Sequence, residues 1–339
     1  MTQLATPLEK LQPLYDEMAR QMHDSRASIA GNADRAAEIA AAIRTDGQLV
    51  LLGMGGSHAV GRMLEPCYRA LGIDAVALPL SEQLDKPLRL AGRTVIVTSQ
   101  SGESAEVLRW FRDGLNPAHT FGLTMEPGSS LAGLAPCLIG AGGSEKPFAA
   151  TRSLTVTLSL HAAVLAELGA DLAAVLEVID GASVADVSAA IEHLSGTRCL
   201  VTSGRMAQGV AEAIALGLTE LSRLPCFSLE GGQLRHGPVE MLAEDVGVIM
   251  FRDADPSSRL VTSLAEFVLT SSPSPVVIFD ASGLPPVEGA LTVPCQAAAG
   301  LAGAFSMLPS AQRFMVDFAA SRMPDAGTPL RCTKVTKVE

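Results

Sequence analysis

Basic residues are scarce in this chain. Lys and Arg number 25 against 36 Asp and Glu, a net charge of −11 with a sequence pI near 5.1. A broad cationic face for nucleic acid is therefore not expected. Paired cysteines are also missing. The six stand at 67, 137, 199, 226, 295 and 332, with no CxxC and no clustered His/Cys spacing. That pattern gives no disulfide framework and no metal site, and reads as reduced core residues of a cytosolic protein. The start, MTQLATPLEKLQPLYDEM, lacks the basic residues and apolar stretch of a secretory leader. An unbroken apolar run is absent too. No charge occurs from Gly289 to Ala311, but Pro294, Gln296, Ser306 and Pro309 interrupt the segment, so a buried helix is expected there rather than a membrane span. The expectation is a cytoplasmic protein with neither membrane nor nucleic acid as partner.

What is present is enough apolar sequence for two cores. The chain has 339 residues, 48% hydrophobic and 18% charged, which excludes a disordered chain and allows two domains of roughly 150 residues each. Residues 8–44 carry helical spacing (Leu11, Leu14, Met18, Met22, Ile29, Ala36, Ile39, Ile43), which predicts a helical arm. Short apolar runs then alternate with helical stretches: strands near 48–52, 75–78, 94–98, 120–124 and 137–139, with helices over 58–71 and from about 104 to 114. The second half repeats the order, with strands near 198–202, 247–251 and 275–279 and helices to about 224 and over 256–269. Glycine turns at 53 and 204 and strands at 95 and 248 match at an offset of about 150 residues, an internal duplication of one unit. The fold class is α/β, two doubly wound domains with parallel sheets. The predicted boundaries are a helical arm over 1–33, domains over 34–178 and 179–325, and a tail over 326–339, with helices over about 165–196 joining the domains.

Ligands of doubly wound sheets bind beyond the carboxyl ends of the strands. Two turns lie there in the first half. Gly53-Met54-Gly55-Gly56-Ser57 opens a helix but lacks GxGxxG spacing, and no acid-tipped second strand follows, so a dinucleotide is not favoured over a tight turn. Ser99-Gln100-Ser101-Gly102-Glu103-Ser104 follows a buried strand and opens a helix. Its three hydroxyls, flexible glycine and helix-terminal N–H groups suit a phosphate monoester. Ordinary helix capping is the plainer reading, but one cap needs one hydroxyl. His161, within an apolar helix, reads as a satisfied core histidine, and His23, His119 and His193 carry no signal.

With these motifs in view, LLGMGGSHA followed by VIVTSQSGES resembles a sugar isomerase (SIS) domain. ALGLTELSRLPCFSLEGGQLRHGPVEML resembles the second SIS domain in the isomerase part of the glucosamine-6-phosphate synthases, and TPLRCTKVTKVE is similar to their C-terminal tail. The resemblance spans nearly the whole chain from about residue 45 and implies two tandem flavodoxin-like SIS domains. It implies phosphosugar binding by Ser57, Ser99, Gln100, Ser101 and Ser104, with backbone groups of Phe148, Ala149 and Ala150 lining the sugar. It also implies that Glu220 moves a proton between C1 and C2, that His236 opens the sugar ring from the neighbouring subunit of a homodimer, and that Lys334 forms a Schiff base with the open ketose. Lys337 matches no such position and reads as a solvated charge.

The chemistry of these residue types agrees. A carboxylate can serve both carbons if partial burial brings its pKa towards neutrality, and an imidazole exchanges protons near pH 7. A tail lysine can activate a carbonyl only if the tail folds into the site. Three departures stand out: Gly217 replaces a lysine of the synthases, Gly56 a hydroxyl residue and Met54 a cysteine. The chain opens Met1-Thr2, without the nucleophilic cysteine of a glutaminase domain, so glutamine hydrolysis is not expected. The resemblance implies an amino-sugar-6-phosphate deaminase/isomerase without cofactor or metal. A plain aldose–ketose phosphosugar isomerase, a fructosamine-phosphate deglycase and a non-catalytic phosphosugar-binding regulator remain open.

Overall fold

The computed structural model describes residues 7–336, so the readings of the first six residues and of Lys337 lie outside the described residues. In chain order the elements begin with α1 (Pro7–Ala30) and α2 (Ala33–Asp46). Then come β1 (Gln48–Gly53), α3 (Gly56–Ala70), β2 (Asp74–Pro79), α4 (Glu82–Asp85), β3 (Thr94–Thr98), α5 (Ala105–Arg112), β4 (Thr120–Thr124), α6 (Ser130–Leu134), β5 (Cys137–Ile139) and α7 (Arg152–Glu167). After α8 (Ala173–Asp180) and α9 (Ser188–His193) the pattern returns: β6 (Cys199–Ser203), α10 (Gln208–Ser222), β7 (Cys226–Ser228), α11 (Gly231–Arg235), β8 (Val246–Asp253), α12 (Ser258–Ser271), β9 (Val276–Ala281), β10 (Leu291–Pro294) and α13 (Gly300–Arg322). The chain divides into two compact units. Ala19–Ile179 with the tail from Arg331 makes one, and Asp180–Leu330 with the chain up to Met18 makes the other.

Each unit holds a five-stranded sheet, ordered β2-β1-β3-β4-β5 in one and β7-β6-β8-β9-β10 in the other. Every pairing is parallel, and the common 2-1-3-4-5 order is the flavodoxin-like one. The central strands read as near-continuous apolar runs because helices cover both faces: all five residues of β3 and all six of β9 are buried. The duplication extends to backbone detail. A Cβ on Gly53 would lie 2.8 Å from the carbonyl carbon of Ser57, and one on Gly204 would lie 2.8 Å from that of Ala207. Only glycine admits this strand-to-helix turn in either unit.

Beyond Met18, α1 does the work of a missing strand beside β5, the edge of its sheet. Asn32 Oδ1 accepts from Ile139 N at 2.9 Å and its Nδ2 donates to Ile139 O at 3.0 Å. Ser28 Oγ accepts from Ala141 N at 2.9 Å. Asp24 binds the fully buried Arg152, whose Nη2 holds Gly143 O at 2.7 Å. The edge is thereby closed to a further strand, and the loop leading to α7 is fixed.

Several expectations need correction. Residues 289–311 are not one buried helix: β10 occupies Leu291–Pro294 and α13 begins at Gly300. Proline is poorly tolerated inside a helix but acceptable on an edge strand. The segment around 165–196 is helical only in part, with α8 and α9 separated by an irregular stretch. The edge strand β7 has only three residues and was invisible to apolar patterning. The six cysteines form no disulfide with one another, but none is fully buried, and Cys332 is exposed. Burial nevertheless pushes the Cys137 thiol up to about 11 and that of Cys295 up to about 12, which leaves both inert. No helix among the described residues is long and apolar enough to cross a membrane.

His161 is the core histidine expected from its helix. Its Nδ1 lies 2.9 Å from the hydroxyl of the buried Tyr68, and burial lowers its pKa from 6.5 to about 3. The folded state therefore stays neutral at pH values where the unfolded chain binds a proton. Stability from this group is complete above about pH 6.5 and falls, by about 1.4 kcal/mol per pH unit, as pH drops towards 3. The single tryptophan, Trp110, is buried in the same unit and reports its unfolding. Urea titrations followed by its fluorescence should show wild type losing about 2 kcal/mol more than His161→Gln between pH 7 and pH 5; parallel losses would refute this.

Candidate active site

In the unit built on β1–β5, β3 delivers its chain into the 99–104 loop. Gly102, at φ +67°, turns the loop so closely against the next connection that a Cβ would lie 2.2 Å from Ser129 Oγ. Gly102 N donates to Ser99 Oγ at 3.2 Å, and Glu103 N donates to Ser101 Oγ at 3.2 Å. Ser99 Oγ and Ser104 Oγ are 3.3 Å apart. Ser104 stands at the N-cap of α5, yet its hydroxyl makes no capping bond to that helix. The capping reading therefore does not account for it, and it remains directed to its fellow hydroxyl. Glu103 is occupied outside the loop, accepting from Ser130 N at 2.7 Å and Ser130 Oγ at 2.8 Å, so its carboxylate is held away from the hydroxyls of Ser99 and Ser104.

Two other segments meet this loop, and the turn after β1 lies against α7 in the same unit: a Cβ on Gly56 would lie 3.3 Å from Leu154 Cδ2 in α7 and 3.6 Å from Ala150 Cβ just before it. Ser57, one residue on, is half-buried in the first turn of α3. Gln100 Nε2 donates to Glu145 O at 3.4 Å. The tail from Arg331 folds onto the same unit. Ala105 N, at the start of α5, donates to Thr336 O at 3.0 Å, and Lys334 Nζ donates to Ala149 O at 3.4 Å and lies 3.8 Å from Glu145 Oε2. Ser57, Ser99, Gln100, Ser101, Ser104, Phe148, Ala150 and Lys334 thus belong to one unit, and the tail folds back as a carbonyl-activating lysine would require. Hydroxyls and amides at a helix N-terminus can hold an anion, and the ammonium stands beside the backbone of Ala149.

Glu145 was missed by the sequence reading. It is 1% exposed, and its carboxylate takes the amides of Thr151 at 2.9 Å, Arg152 at 3.1 Å and Ser153 at 3.2 Å, together with the hydroxyls of Thr151 and Ser153. It caps the N-terminus of α7, where exposed amides favour negative charge. The available signal was an acid shortly before Thr151-Arg152-Ser153, the hydroxyl-rich opening of an otherwise apolar helix.

Glu220 and His236 belong to the other unit. Glu220 is half-buried in the last turn of α10, and His236 is exposed at the C-terminal end of α11. Gly217, also on α10, has a packing cause: a Cβ there would lie 2.1 Å from Met315 Sδ on α13. The space of the lysine expected from the resemblance is thus taken by a buried thioether. The loop after β8, which corresponds to the 99–104 loop, carries carboxylates. Asp253 accepts from Gly300 N at 3.1 Å, and Asp255 accepts from Ser257 N at 2.8 Å. Burial raises the pKa of Asp253. Arg252 is spent on the buried Asp280, with Nε to Oδ1 at 3.1 Å. That loop supplies its own anions.

This architecture, two 2-1-3-4-5 sheets related by duplication with a hydroxyl loop after β3, defines the tandem sugar isomerase (SIS) fold, and the chain has that fold. The C-terminal domain of glucosamine-fructose-6-phosphate aminotransferase from Francisella tularensis superposes with a TM-score of 0.80 at 17% identity, over 94% of this chain and 98% of that one. Tagatose-6-phosphate ketose/aldose isomerase from Escherichia coli gives 0.78 at 18% identity, over 94% and 96%. Glucosamine-6-phosphate deaminase from Thermotoga maritima gives 0.68 at 18%, over 92% and 99%. By sequence, a glutamine–fructose-6-phosphate aminotransferase of Streptococcus pyogenes is 28% identical over 272 residues, 72% of this chain and 44% of that protein. The chain therefore spans less than half the length of the curated relative it matches. No family model matches the sequence.

Two substitutions test the packing. Glu145→Gln should destabilise the unit by about 3 kcal/mol, because amides and hydroxyls arranged around a carboxylate lose an acceptor in a buried setting; unchanged unfolding would contradict the capping role. Gly217→Lys should lower stability by about 1–3 kcal/mol or more through overpacking against Met315, read as a drop in thermal midpoint.

Proposed function

We propose that the protein is an amino-sugar-6-phosphate deaminase/isomerase. The observation that carries the reading is the tail lysine: Lys334 Nζ rests on Ala149 O, beside Glu145, in the unit that holds the 99–104 hydroxyl loop. The loop would take the phosphate through Ser99, Ser101 and Ser104 with Gln100 and Ser57, and the backbone at 148–150 would line the sugar. His236, exposed on a short helix, would open the pyranose ring of a substrate held by a second copy of this chain, which makes a homodimer part of the proposal. Glu220 would then move the C2 proton to C1, leaving an imine at C2. Lys334 would displace ammonia from that carbon by forming its own Schiff base, and water would hydrolyse the Schiff base to the ketose, restoring the amine. Each step needs one half-buried carboxylate, one imidazole and one amine, and the three candidates supply them. The similarity of the fold to a glucosamine-6-phosphate deaminase and to a ketose/aldose isomerase supports this class of chemistry.

The test is ammonia release from a panel of amino-sugar 6-phosphates, with Glu220→Gln as control. Rapid release abolished by the substitution is the expected result. Ketose formed from plain aldose 6-phosphates without ammonia would make the protein an isomerase instead. Phosphosugar binding with neither reaction would support the regulator. Calorimetry should also give one phosphosugar per chain, because the loop after β8 is occupied by its own carboxylates; two equivalent sites would overturn that account.

A further inference from the structure

We propose that Arg205 is a positioning residue for His236, acting through Glu230 and α11; the inference rests on the ring-opening reading of His236. Arg205 opens the turn between β6 and α10, and its Nη1 donates to Glu230 Oε1 at 2.7 Å. The other carboxylate oxygen, Oε2, accepts from Gly232 N at 2.7 Å and Gln233 N at 3.2 Å. Glu230 is therefore both the N-cap of α11 and the partner of the arginine. Gly231 N donates to Gly204 O at 2.9 Å, a second tie from the helix to the same turn. One helical turn later, His236 N donates to Gly232 O and Gln233 O, both at 3.2 Å, so the imidazole sits where this capped turn places it.

The two glycines are part of the device. A Cβ on Gly231 would lie 3.3 Å from Arg205 Nε, and one on Gly232 would lie 3.2 Å from Nη1 and 2.9 Å from Glu230 Oε2. The guanidinium lies across bare backbone. Its Nε is buried with no hydrogen-bond partner, while 32% of the side chain remains exposed, so Glu230 and the packing against the two glycines direct the group. The far end of α11 is held independently: Arg235 Nη2 donates to Ser263 O at 3.0 Å and stacks 5.0 Å from the Phe267 ring centroid. Leu234 is fully buried beneath. Loss of Arg205 should therefore leave α11 attached but let its first turn, and with it the histidine, move.

The experiment is a double-variant cycle on the full-length protein, using whichever phosphosugar the panel shows to be converted. Arg205→Met should lower kcat about ten-fold or more with KM within about two-fold, since a misplaced acid/base group costs turnover rather than phosphate binding. Arg205→Lys should recover part of that loss by restoring a cation towards Glu230. In a His236→Ala background, Arg205→Met should cost nothing further. Equal losses in both backgrounds, or full kcat in the single variant, would overturn the positioning role. His236→Ala with unchanged kcat would overturn the ring-opening reading itself and the inference with it. If Arg205→Met fails to fold, Glu230→Gln breaks the same link from the other side and is read in the same cycle.

Discussion

A buried carboxylate holds the candidate site together. Glu145 lies at the end of the loop that α1 fixes, and it supplies the charge that the amino end of α7 attracts. Its backbone carbonyl receives Gln100 from the hydroxyl loop, and its side chain stands near Lys334. An uncompensated carboxylate in that position would cost several kcal/mol of desolvation. Three amides and two hydroxyls compensate it, and Lys334 Nζ stands 3.8 Å away. The hydroxyl loop, the backbone at 149–151 and the tail all meet at this one group.

The duplication separates scaffold from chemistry. Both units use the same glycine turn and strand order, and both give a helix N-terminus to a carboxylate, Glu145 in one and Asp253 in the other. They diverge in the loop after the third strand. One carries serines; the other carries aspartates that accept backbone amides there. In a duplicated fold a few side chains decide whether the dipoles beyond the strand ends are already satisfied.

The doubly wound architecture was legible because buried parallel strands are continuous apolar runs and glycine marks the turns that follow them. β7 and β10 escaped because edge strands need little apolar sequence, and the proline ending β10 sits in a segment that otherwise resembles a core helix. The serines were readable as a local cluster, since three hydroxyls in six residues exceed the needs of one cap. Glu145 was not, because its donors come from the opening of a helix that begins seven residues later and hydropathy gives it no distinction from a surface acid. Gly217 was visible only as a departure. Its cause, Met315, lies nearly a hundred residues away in sequence, a separation across which no local pattern operates. Arg205 and Glu230 could be seen as charges, but their pairing depends on two glycines whose purpose is spatial.

The tail has a consequence for synthesis. Residues 19–179 form the bulk of the unit that holds the hydroxyl loop, yet Lys334 arrives on that unit only after roughly 150 further residues have been translated. A nascent chain can thus complete the sheet, the loop and the Glu145 cap long before the amine is in place. This unit is therefore closed only after the intervening chain, residues 180–330 of the other unit, has been made.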